Sequence, residues 1–284
     1  MPSPYILTIS CPDRIGIVAT VSTFLAVQRC NILDSAQFGD PDTGRFFLRI
    51  HFEMPDDGPG RPELERLFEG VAGTFAMQWQ LHDAHRKSRI LLLVSRFGHC
   101  LNDLLYRCTA GGLAAEIPAI VSNHTDFERI ATMHDIPFHH LPVTKENKPE
   151  QEAQISQLVA DLNIDVVVLA RYMQVLSPAF CQRHSGRVIN IHHSFLPSFK
   201  GASPYKQAFA RGVKLIGATA HYVTENLDEG PIIEQDVARV DHANLPDDLA
   251  AVGRDVECVV LARAVRYHVE HRVLLNGHKT VVFR

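Results

Sequence analysis

Residues 164–170 read IDVVVLA, a β-branched stretch that is continuously apolar from Val166 to Ala170. A strand that alternates apolar and polar residues can leave one face wet; a strand like this one must be covered on both, as in the centre of a parallel sheet. Ahead of it, PEQEAQISQLVADL places Ile155, Leu158, Val159 and Leu162 on one helical stripe, with Pro149 near the helix start. The same alternation recurs around it. Strand-like Ile90–Val94 precedes a helix over Cys100–Cys108, and Ala119–Val121 precedes a helix over Phe127–Met133. A helix over Pro178–His184 then leads to strand Val188–Ile191 and a helix over Tyr205–Arg211. Strand and helix taken in turn predict an α/β fold built on a doubly wound, mostly parallel sheet. LIGATAHYV and PIIEQDVARV read as longer strands, followed by a helix over residues 247–270 with Leu249, Val252, Val256, Val259 and Val260 on one stripe. Asn276-Gly277 marks a closing hairpin.

The first part of the chain has a different rhythm. Residues 5–10 form a short strand, and CPDRIG turns into a helix with Ile17, Val21, Phe24 and Leu25 at helical spacing. Ile32–Phe38 and Arg45–Phe52 are strands joined by the turn-rich GDPDTG; a helix follows Pro62, and Met77–His82 closes the set. This β-α-β-β-α-β order is a ferredoxin-like split unit. The polar DAHRKSR, residues 83–89, is the linker, which divides the chain into 1–84 and 85–284.

Bulk properties exclude several function classes. With 46% hydrophobic and 21% charged residues the chain is that of a soluble globular protein, and its net charge of −4 gives no reason to expect nucleic acid or an anionic membrane. Apolar runs are of strand length, far below a membrane span, and no leader-like segment opens the sequence. The six cysteines form no C-x-x-C pair, which favours reduced thiols in the cytoplasm. Sixteen histidines show no metal-ligand spacing, so no metal is expected.

The chemistry concentrates in RVINIHHSFLPSFKGASPY and LDEGPII. Asn190 and His192 stand two apart at the end of a predicted strand, where open α/β sheets gather their sites, and Asp228 sits on a Gly-Pro turn. Amide, imidazole and carboxylate together can polarise a carbonyl, hold its oxyanion and move a proton. Each alone also has an ordinary structural role at a strand end or turn.

NIHHSFLPSFKG together with IGATAHYVTENLDEGPII resembles the folate-dependent formyltransferase superfamily over about residues 88–284. The resemblance implies that Asn190 bonds the formyl oxygen, and that His192 donates to that oxygen as charge develops. Asp228 would organise the nucleophile and His192 and assist proton transfer. VLARYMQVLSP is similar to the superfamily's pterin-contacting segment, which implies folate contacts at Arg171, Tyr172, Met173 and Val175, with His221 a further pocket candidate. His193 stands where the transferases commonly carry proline. Residues 4–84 resemble an ACT domain, most specifically in CPDRIGIVA. That implies an amino-acid effector, with Asp13, Arg14 and Gly16 as candidate contacts, and a homo-oligomer.

The resemblance also bears on the acceptor. Transferases that hold a phosphorylated amine use a Gly/Ser-rich turn after the first strand. Here VSRFGHCLNDLL has one glycine, Gly98, flanked by bulky Phe97 and His99. With the phosphate cradle missing, water is the remaining nucleophile, and the whole chain resembles the 10-formyltetrahydrofolate deformylases. That family implies hydrolysis to formate and tetrahydrofolate within one-carbon metabolism, supplying formate for purine synthesis, with no cofactor beyond the folate substrate. Transfer to an unidentified amine, and a silent folate and amino-acid sensor, are the alternatives.

Overall fold

The computed structural model describes residues 3–196 and 204–284. The chain forms two compact units. The first takes in Met1–Arg86 with Glu270–Asn276 and Val281–Arg284, and the second takes in Lys87–Val269 with Gly277–Thr280.

The first unit runs β1 (Ser3–Pro12), α1 (Ile17–Val27), β2 (Asn31–Asp40), β3 (Arg45–Met54), α2 (Arg61–Thr74) and β4 (Gln78–Asp83). The four strands make an antiparallel sheet in the order β2-β3-β1-β4. One sheet face carries Leu7, Ile9, Leu48, Ile50 and Phe52, packed with Ile17, Val21 and Leu25 of α1 and with Leu64 and Phe68 of α2. Gly16 opens α1 at φ 95°, a conformation that costs other residues strain.

The division expected at residues 84/85 leaves out one feature. The closing segments of the chain return to the first unit, because that unit buries polar groups whose partners lie there. Arg49, only 3% exposed, donates from Nη2 to Glu270 O at 3.1 Å and from Nε to His271 O at 3.2 Å. Asn276 Nδ2 donates to buried Asp40 Oδ2 at 2.6 Å. A buried guanidinium without acceptors would be costly, so these bonds fix the return.

The second unit contains β5 (Ser88–Val94), α3 (His99–Thr109), β6 (Ala115–Ser122), α4 (Glu128–Met133), β7 (Phe138–His140), α5 (Lys148–Asp161), β8 (Val166–Leu169), α6 (Pro178–Arg183), β9 (Val188–His192), α7 (Pro204–Ala210), β10 (Leu215–Tyr222), β11 (Ile232–Arg239) and α8 (Pro246–Val269). A short ribbon, β12 (Val273–Asn276) and β13 (Lys279–Val282), closes the chain. The large sheet has the order β11-β10-β9-β8-β5-β6-β7; β5 to β9 are parallel, and β10 and β11 are antiparallel additions. Ile90 to Val94 and Val166 to Val168 are buried, as a run covered on both faces must be.

The chain winds outward from β5 through β6 to β7, then returns to the other side of β5 for β8 and β9. Strand order therefore reverses between β5 and β8, and a crevice opens past their carboxyl ends. β7, three residues long, has no counterpart in the sequence reading.

Helix α8 departs from its expected stripe. Leu249 and Val260 are buried, but Val252, Val256 and Val259 are only partly so; the buried line runs through Gly253, Glu257, Leu261, Ala264 and Val265. Gly253 lies there because a Cβ would stand 2.0 Å from Tyr205 Oη. Glu257 is tolerated because its oxygens are hydrogen-bonded.

Candidate active site

A cavity of about 620 Å³ opens in the second unit at the strand-order reversal. Its lining includes Asn190, His192 and Asp228, and all five residues expected to meet folate: Arg171, Tyr172, Met173, Val175 and His221. The strand pairing explains much of the convergence. Asn190 and His192, two apart on β9, project to one sheet face, and β10 sets His221 directly opposite Asn190. The β10–β11 register shifts between Ala220 and His221, a bulge that re-aims the histidine at the strand end.

Asp228 arrives from the turn between β10 and β11 at φ 56°, a left-handed conformation that Asp tolerates better than most residues. Its Oδ2 lies 3.3 Å from His192 Nδ1, and its Oδ1 lies 3.6 Å from His221 Nε2. Burial by itself would raise the Asp228 carboxyl, but the imidazoles of His192 and His221 more than offset it and hold the group well below the usual carboxylate range. His221 Nδ1 donates to Tyr222 O at 2.9 Å, and its Nε2 stands between Asn190 Nδ2, at 3.3 Å, and the Asp228 carboxylate. The second N–H of the Asn190 amide remains for a ligand. His192 Nε2 is buried and has no hydrogen-bond partner. An orphaned buried nitrogen is unusual, and this one belongs to a cavity-lining residue.

The turn has no slack. At Gly230 a Cβ would stand 1.7 Å from Tyr222 O, so Gly230→Ala must push the Asp228 turn off β10. A shift of about 1 Å in a catalytic group costs about 10²-fold, and that loss in kcat/KM is expected for the variant in a steady-state assay.

The folate candidates divide by exposure. Tyr172 is buried, and its hydroxyl accepts from Gln151 Nε2 at 2.7 Å; burial first, then the charge of Glu152, push its pKa up to about 12. Met173 and Val175 are exposed, at 51% and 57%, and give the cavity apolar surface. Arg171 is buried at φ 64°, with its guanidinium 5.3 Å from the Phe97 ring centroid. Asp13, Arg14 and Gly16 lie in the first unit on the exposed turn ahead of α1, where the Asp13 N–H donates to Gly44 O at 2.9 Å. Of the FLPSFKG stretch, residues 197–201 lie outside the described residues.

One cavity-lining carboxylate escaped the sequence reading. Glu257 of α8, 1% exposed, lines the cavity and forms a cluster with three other groups. Its Oε1 accepts from Tyr205 Oη at 2.8 Å, its Oε2 lies 2.8 Å from His99 Nε2, and Arg171 Nε is 3.4 Å away. Burial would raise its pKa, but His99, Arg171 and Tyr205 together bring it below the usual value. Its place one helical turn after Gly253, on the inward side of α8, was the available signal. His99, Cys100 and Glu257 offer ligand-type atoms within 4.8 Å of one another. Contact with Cys258 and burial push the Cys100 thiol up, however, and both Glu257 oxygens already have partners, so this donor set suits hydrogen bonding rather than an ion.

Comparisons with known proteins agree on the family. The profile described as Formyl transferase matches residues 88–265. Formyltetrahydrofolate deformylase of Corynebacterium sp. (strain P-1) is 49% identical over 99% of this chain and 98% of the relative. The crystal structure of formyltetrahydrofolate deformylase from Burkholderia mallei ATCC 23344 superposes with a TM-score of 0.96 at 52% identity, covering 100% of both chains. Glycinamide ribonucleotide transformylase 1 from Symbiobacterium toebii covers only 71% of this chain, with a TM-score of 0.65 and 28% identity. With its second unit matched by the transferase profile and its full length by the deformylases, the chain belongs to the formyltetrahydrofolate deformylase family.

Proposed function

We propose that this chain hydrolyses 10-formyltetrahydrofolate to formate and tetrahydrofolate. The observation that carries the reading is the unpartnered His192 Nε2, buried in the cavity wall beside the spare N–H of Asn190 and backed through Nδ1 by Asp228. An amide N–H and an imidazole in one cavity wall are what a formyl oxygen needs as it becomes an oxyanion, and fixed polar groups in a buried site stabilise that charge without reorganisation. Asp228 holds His192 in place and helps to orient the water. Met173, Val175 and the backbone around Tyr172 offer the apolar surface that a pterin ring requires.

The wall at His99 supports water as acceptor. In a doubly wound fold the turn after the first strand, opening α3, is the natural seat of a phosphate. Here the buried carboxylate of Glu257 sits against His99, the first residue of α3, and a phosphorylated acceptor would meet a negative charge. The reaction uses no metal and no cofactor beyond the folate, since amide, imidazole and carboxylate supply every polar role. The first unit, with its βαββαβ order, serves as an ACT-like regulatory module. Asp13, Arg14 and Gly16 are its proposed amino-acid contacts, and a homo-oligomer is its assembled form. The protein works in the cytoplasm, where the released formate feeds purine synthesis.

The direct test supplies purified protein with 10-formyltetrahydrofolate alone and measures formate. Stoichiometric formate and tetrahydrofolate are expected with no amine present. Formyl loss that begins only on adding an amine would point to a transferase, and folate binding without turnover would point to a sensor.

A further inference from the structure

We propose that His193 is the catalytic base of this hydrolysis: its imidazole binds the attacking water and takes the proton that water loses, while its neighbour His192 serves the oxyanion. The inference rests on the deformylase reading of the cavity.

It begins from which cavity-lining groups are free to accept a proton. Asp228 directs one oxygen to His192 and the other to His221, and it is held well below the usual carboxylate range. It can hold a water on a remaining lone pair, but it is a poor proton acceptor. Glu257 has both oxygens occupied, by Tyr205 and His99. His221 has both nitrogens in hydrogen bonds. Tyr172 accepts from Gln151, and Arg171 is a cation. Among the described residues, three imidazoles with an uncommitted nitrogen line the cavity: His192, through Nε2, His193, and His99, whose Nε2 is held by buried Glu257 at the start of α3. Of the other two, His193 is the direct neighbour of His192 in the chain.

Their surroundings differ in sign. His192 has a carboxylate behind it, which suits the ring that donates. Burial first, then the charges of Arg171 and His192, lower the His193 pKa to about 4, against the weaker opposing influence of Glu257 and Asp228. His193 is therefore neutral at neutral pH and presents a lone pair. A carboxylate beside one ring and a guanidinium acting on the other set the two imidazoles to different tasks. The geometry allows it: both rings line the one cavity, with their centroids 5.1 Å apart. On its far side His193 packs on the Tyr205 ring at 6.3 Å, and that ring is tied by its hydroxyl to buried Glu257. The base is thus seated against a rigid wall.

The step balances without any further reagent. An O–H bond of water breaks, and the proton passes to the His193 imidazole as the water oxygen bonds to the formyl carbon. The carbonyl electron pair moves onto oxygen, which accepts from Asn190 and His192. Collapse re-forms the carbonyl and breaks the bond from carbon to N10. The His193 imidazolium then returns its proton to N10, giving tetrahydrofolate and formate.

The test compares His193→Ala and His193→Asn with the unaltered protein, measuring formate release and tetrahydrofolate binding. Loss of a general base costs about 10²-fold or more, so kcat should fall by that factor with KM within about threefold. Added imidazole should raise the rate of His193→Ala and leave that of the unaltered protein unchanged. A kcat within about threefold of the unaltered protein overturns the proposal. So does loss of tetrahydrofolate binding in both variants, or a rate loss that imidazole does not relieve, since either assigns His193 a structural part. Failure of the unaltered protein itself to release formate sinks the deformylase reading instead, so the two failures are distinguishable.

Discussion

Asp228→Asn is expected to lower kcat for formate release by roughly 10²- to 10⁴-fold, the range for losing acid–base support. The substitution keeps the shape of the side chain and one acceptor oxygen but removes the negative charge 3.3 Å behind His192 Nδ1. His192 then loses the group that orients it, and its donation to the growing oxyanion weakens. Folate should still bind, because the apolar cavity surface at Met173 and Val175 is untouched, so KM should change little. The pH dependence follows from the depressed Asp228 pKa. Since the folded value lies below the ordinary value near 4, the carboxylate's stabilising contribution is complete above that value and is lost only as pH falls through the folded one. Activity lost between about pH 6.5 and 5 must therefore come from other groups. Steady-state kinetics across pH would check both points; near-normal formate release by Asp228→Asn would sink the mechanism.

His192→Ala is expected to reduce kcat by roughly 10²- to 10³-fold, the cost of one oxyanion donor. It also strips Asp228 of one of the two imidazoles that hold its charge. The carboxyl pKa should then rise, and the acid limb of the residual activity should move to higher pH. A variant that kept its activity, or lost it with an unchanged acid limb, would place the oxyanion elsewhere in the cavity.

Much of this was legible in the sequence, for reasons tied to particular residues. β5 and β8 show themselves because strands covered on both faces must be continuously apolar, and α1 because Ile17, Val21 and Leu25 keep helical period. Asn190 and His192 announce themselves because a two-residue spacing on a strand has one geometric meaning. Glu257 does not, because its burial depends on Tyr205 and His99, far away in sequence. Likewise β7 has too few residues for a period, and its place comes from pairing with β6. The assignment of Val252, Val256 and Val259 to the α8 stripe failed where Tyr205 needed the space over Gly253. Local pattern reports local structure; partners supplied by distant segments leave no local trace.

The return of the chain to its first unit has a consequence for how that unit comes into being. Arg49 waits for Glu270, 221 residues later, and Asp40 for Asn276, 236 residues later. During synthesis the amino-terminal sheet therefore emerges with a buried cation and a buried carboxylate still lacking these acceptors and donors. Asp34 and Thr43 are at hand to pair with the two groups early, but the bonds to Glu270 and Asn276 form only after Lys87–Val269 has been made. Native contacts so distant make loop closure costly and slow. A fragment ending near Arg86 would expose those groups for good, so an effector sought on the first unit has to be sought on the whole chain.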